Sequence, residues 1–137
     1  MRARAWLCAL GLLILVEAGT SSYAGAQSTA DAERLFDSFT VSLVAASRCD
    51  PPDERTMTRF LSNLLIVQDE ILRQFKARYP NADEATLLGV IDNRIKRLGS
   101  SLENQIAVRG CMDESIIKLV RLFELNARPD LFIKRAD

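Results

Sequence analysis

The stretch Leu43–Glu54, "LVAASRCDPPDE", decides how this chain is built. A helix-like run ends at Cys49, and Pro51-Pro52 follow at once. Proline lacks the N–H that continues a helix and disfavours helical geometry in the residue before it, so the run must stop here. Asp53-Glu54 then offer negative charge where a new helix would begin, which suits the positive end of the helix dipole. The stretch is a corner between two helices, with a cysteine at the turning point.

Before the corner, Leu35, Phe36, Phe39, Leu43 and Ala46 share one helical face. The spacing predicts a first helix capped by Ser28 or Thr29, with Asp31 and Glu33 in its first turn, and it puts Val41 and Val44 on the far side. After the corner, a second helix from Asp53 to Tyr79 carries a wide stripe: Met57, Phe60, Leu61, Leu64, Leu65, Ile71, Leu72, Phe75 and Tyr79. Gln68 falls in the middle of that stripe and Ile66 opposite it; Pro80 ends the helix.

A third helix opens at Asn81 as cap, and Leu88, Ile91, Ile95, Leu98 and Leu102 step by three and four. The stripe stays in phase across Gly99-Ser100-Ser101 to Ile106, so these residues soften the helix without breaking it, and Gly110 stops it. Gln105 and Arg109 fall on the inward phase, with Arg109 expected either to reach its charged head out to water or to pair with an acid at that end such as Asp50 or Asp53. A fourth helix runs from Asp113 to Asn126 with Ile116, Leu119, Val120 and Phe123 inward, and Pro129 closes it. Almost nothing reads as strand. Short connections make neighbouring helices antiparallel, so the expected fold is all-α: a small up-down-up-down four-helix bundle. In that topology Cys49 and Cys111 lie at the same end, and a disulfide between them ties the first corner to the last.

The 137 residues are one domain's worth, 48% hydrophobic and 26% charged, with 18 basic against 18 acidic residues. That balance gives no basic field for a nucleic acid. The N-terminus has the layout of a secretory signal: Arg2 and Arg4, an apolar run from Trp6 to Val16, and Ala24-Gly25-Ala26 before Gln27. Residues 1–26 are therefore expected to be a cleaved signal peptide and 27–137 a single helical domain, periplasmic or secreted. Membrane contact is expected only through the signal segment during export. Cys8 stands at the basic end of the apolar run, the wrong end for lipid attachment.

The chain contains no histidine, which removes the usual general base and the commonest metal and haem ligand. It has no C-x-x-C pair, phosphate-binding glycine loop or calcium loop. Asp83-Glu84 and Asp113-Glu114 read as helix starts. No enzyme activity, cofactor or metal is expected. Gln68 reads as a core amide that sets register or, in the alternative function of a carrier for a small apolar ligand, as a polar contact within the bundle. Ile117, Leu122, Leu125, Leu131, Phe132 and Ile133 exceed what one bundle face needs. They either cover the open end or meet another protein or a second copy. The expected function is that of a small exported binding protein: an inhibitor, immunity-type protein, chaperone or accessory subunit.

Overall fold

The computed structural model describes residues 21–132, with side chains from Ala30 onward. Residues 1–20 of the expected signal peptide, and Ile133 with the residues after it, lie outside the described residues. Four helices and no strand are present among those described: α1 Ser21–Cys49, α2 Glu54–Arg78, α3 Glu84–Arg109 and α4 Glu114–Asn126. α1 begins at Ser21 rather than at Ser28 or Thr29, so Asp31 and Glu33 sit within it and not in its first turn.

Three helices start in the same way. Asp53, Asp83 and Asp113 each take extended backbone and accept a hydrogen bond from a backbone N–H of the first turn: Thr56 at 3.0 Å, Thr86 at 2.7 Å and Ser115 at 2.9 Å. The cap of α3 is thus Asp83 and not Asn81; Asp83 has Thr86 three residues on to donate to it. At the other end of α3, Gly110 has φ 78°, a left-handed conformation that glycine adopts without Cβ strain, and its N–H reaches Ile106 O at 2.8 Å.

Contact pairs fix the directions. Glu33 meets Arg78 and Phe39 meets Phe60, so α1 and α2 are antiparallel. Ser42 meets Asn126 and Cys49 meets Cys111, so α1 and α4 are antiparallel too. Asp37 meets Arg94 and Arg48 meets Glu103, so α1 and α3 are parallel. The chain alternates in direction, but the helices do not stand at the corners of a square. α1 packs against each of the other three, while those three touch one another far less.

α1 can occupy the centre because it is buried around more than half of its circumference. Phe36, Phe39, Thr40, Ser42, Ala45 and Ala46 are all enclosed, and at 3.6 residues per turn they sweep most of its circumference. The main core joins Phe36, Phe39 and Ala46 to Phe60, Val67, Ile71, Phe75, Leu87, Ile91 and Phe123. A second core, at the disulfide end, joins Ala45 to Leu102 and Ile116, with Val41 and Val44 packed against it. Val41 and Val44 therefore face α3 and α4 rather than solvent: small Ser42 and Ala45 let those helices approach the side of α1 that the apolar pattern left open.

Candidate functional site

The disulfide joins Cys49 to Cys111 with Cα atoms 5.4 Å apart, as the corner reading anticipates. It clasps the start of α4. The end of α4 is clasped by buried hydrogen bonds. The Asn63 amide donates to Asn126 O at 2.7 Å and to Arg128 O at 2.9 Å. The Asn126 amide donates to Ser42 Oγ at 3.2 Å, and that hydroxyl donates to Phe39 O at 3.1 Å. The last carbonyls of a helix have no partner within it; here a side chain from α2 satisfies that of Asn126, and the Arg128 N–H reaches Leu125 O at 3.2 Å. Asn63 was not singled out from the sequence, although its position three residues after Phe60 and four before Val67 puts a polar group squarely in the core line.

Gln68 is half-buried on the flank of α2 and makes no hydrogen bond among the described residues. The buried line of α2 runs through Phe60, Asn63, Val67, Ile71 and Phe75, which leaves Leu61 and Leu65 exposed beside it. On α3 the same rotation buries Leu87 and exposes Leu88. Gln105 and Arg109 are exposed rather than inward, because α3 has a single strong neighbour and needs only a narrow seam. Arg109 has no ion pair with Asp50 or Asp53; its charge acts on Asp113, whose carboxyl is held below the usual range chiefly by the Ser115 hydroxyl.

The polar link between α1 and α3 is also new to the structure. Arg94 grips Asp37 with two hydrogen bonds, Nε to Oδ1 at 2.5 Å and Nη2 to Oδ2 at 2.8 Å, and Nη1 reaches Glu33 Oε2 at 3.0 Å. Hydrogen bonding to Asp37 raises the guanidinium's proton affinity further. Both carboxylates are occupied by this grip, so the cluster reads as a brace and not as an acid–base pair. Among the described residues, no group of three or more histidines, cysteines or carboxylates is placed to hold a metal ion. None of the described helices is long and apolar enough to cross a membrane.

The residues expected at a partner contact separate by burial. Ile117 and Leu122 are half-buried. Leu125 is 53% exposed. Past the last turn of α4, Leu131 and Phe132 are each 37% exposed although Phe132 stacks on Phe39, with ring centroids 6.5 Å apart. Leu35, one turn before Phe39 on α1, is exposed too. The tail thus partly covers the main core where α4 has ended, and its own apolar atoms form the outer edge. A cleft of about 460 Å³ opens on another side of α4, at the Pro51-Pro52 corner, between Asp50, Arg59, Val120 and Arg128. No protein-family model, curated protein or solved structure matches the chain.

Proposed function

We propose that this chain is a small exported protein, without enzymatic activity, that acts by binding another protein through the edge formed by Leu125, Leu131 and Phe132. In this reading residues 1–26 are a signal peptide removed before Gln27, and the mature domain works in the periplasm or outside the cell. The disulfide supports the compartment, since such bonds persist where the surroundings are oxidising. The lack of histidine and the occupied state of the Asp37–Arg94–Glu33 cluster support a binding role over chemistry.

The observation that carries the proposal is exposed apolar surface at the end of α4: Leu125 in its last turn, and Leu131 and Phe132 just past it. Single exposed leucines are ordinary; three exposed apolar residues within eight positions at one end of the molecule support an interaction surface there. Binding would bury the exposed parts of Leu125, Leu131 and Phe132.

The test is retention of a protein partner from the native compartment by the wild-type chain, by Leu125→Ser and by Phe132→Ala. Leu125→Ser is expected to melt like wild type and to lose the partner. Retention of the partner by both variants would defeat the proposal. The export part is tested by intact mass: a secreted species beginning at Gln27 is expected, and one retaining Met1 would contradict it.

A further inference from the structure

The proposed cleavage before Gln27 falls inside α1, which runs from Ser21 to Cys49. On that reading Gln27 becomes the first residue of both the exported chain and the helix. Three observations describe the end so created. The first is the helix itself. Its leading N–H groups have no partner within it and form the positive end of its dipole, so a terminal ammonium placed there meets like charge.

The second is the lack of a free counter-charge nearby. Asp31 and Glu33 are the first acids after Gln27, and both are engaged. Asp31 pairs with Arg34, and Glu33 pairs with Arg94 at 3.0 Å and with Arg78 at 3.5 Å. The third is packing. Among the α1 residues with described side chains, Ala32 is the first to be buried, and the main core starts at Phe36. The backbone at Gln27 lies five residues before Ala32, about 7.5 Å along the axis and more than one turn ahead of the packed part.

We propose that position 27 is a modification site: the exported chain carries pyroglutamate there, formed by cyclisation of Gln27. The neutral α-amine nitrogen attacks the side-chain amide carbon Cδ. A new C–N bond closes a five-membered lactam, and the bond from Cδ to Nε2 breaks. Nε2 leaves as ammonia, carrying one proton from the attacking amine, so the step needs no oxidant or reductant. Both reacting groups belong to one residue, which gives the step the advantage of an intramolecular reaction. The lactam is uncharged. It removes the terminal charge from the start of α1, as N-terminal acetylation does elsewhere, and ends the conflict with the dipole. It also leaves no free α-amine for an aminopeptidase to recognise.

The test is intact mass, N-terminal peptide mapping and aminopeptidase digestion of the exported wild-type and Gln27→Ser chains. Wild type is expected to have the mass of residues 27–137 less one ammonia, with the loss in the first peptide. It is expected to resist aminopeptidase until a pyroglutamyl peptidase has removed residue 27. Gln27→Ser is expected to be cut at the same bond, to keep its full mass and to be trimmed directly. The inference rests on the export reading but fails separately from it. A wild-type chain that starts at Gln27 with a free amine and full mass overturns cyclisation and leaves export standing. A chain that starts elsewhere, or retains Met1, overturns both. An ammonia loss that persists in Gln27→Ser belongs to another residue and also overturns the proposal.

Discussion

Asn63 shows how one side chain can settle the position of a helix. Its two amide hydrogens go to Asn126 O and Arg128 O, so it closes the end of α4 from across the core. Replacing it with leucine strands the Asn126 carbonyl away from water, at a cost on the order of 1–3 kcal/mol, while Arg128 O keeps its bond from the Leu131 N–H at 3.4 Å. Asn63→Leu is therefore expected to lower the unfolding free energy by about 1–3 kcal/mol in urea titrations. Gln68→Leu, by contrast, removes no bond among the described residues and is expected to change the stability of the monomer by less than about 0.5 kcal/mol. Phe132 lies between these cases. It stacks on Phe39 but keeps 37% of its surface in solvent. Phe132→Ala is expected to cost about 1–2 kcal/mol in the same titration, below the roughly 3–5 kcal/mol of a fully buried aromatic.

Asp53, Asp83 and Asp113 apply one local device to three helices. Their carboxyls are held below the usual aspartate range: Asp53 first by the Thr56 hydroxyl, Asp83 by the Thr86 backbone N–H, Asp113 by the Ser115 hydroxyl. A lowered folded-state pKa stabilises the native chain fully above the unfolded value, about 3.9, and that stabilisation is lost as pH falls through the lower folded value. The melting temperature is expected to fall progressively below about pH 4. A triple variant with asparagine at all three caps, which caps equally well and does not titrate, should lose less over that range. If wild type and variant decline together, the caps are not the acid-sensitive groups.

Such local features are what the sequence makes legible. Proline at the first corner, glycine at Gly110, acid at the helix starts and the cysteine pair act through their near neighbours, and the helix ends follow from them. The central place of α1 is not legible in that way, because alanine and serine add almost nothing to an apolar pattern yet permit close approach. Ala45 and Ser42 are fully buried where the pattern marks no core face. The rotation that buries Leu87 and exposes Leu88, Leu61 and Leu65 depends on which neighbours surround each helix, so it appears only once the packing is known. At the end of α4 the apolar residue types were readable, and the stacking of Phe132 on Phe39 was not.

For the whole molecule, two clasps hold α4 against a central helix: a covalent one at its start and a hydrogen-bonded one at its end. The disulfide spans 62 residues, and in the chain-entropy account such a crosslink is worth roughly 4 kcal/mol. Reduction is expected to lower the denaturation midpoint by a corresponding amount, and non-reducing peptide mapping should recover Cys49 and Cys111 in one fragment.

Enclosing α1 on three sides leaves most of the exposed large apolar residues, Leu125 and Leu65 among them, on the surrounding helices. That enclosure is the central claim, and Ala45 tests it most directly. Ala45 is fully buried against Leu102 and Ile116, on the side of α1 away from Phe36. Thermal melting of Ala45→Asp is the measurement. With α1 at the centre, the new carboxylate has neither water nor a partner, and a loss of about 3–5 kcal/mol is expected, enough to weaken or abolish the cooperative transition. A wild-type melting curve for Ala45→Asp would mean that this side of α1 faces solvent, and would contradict the central helix.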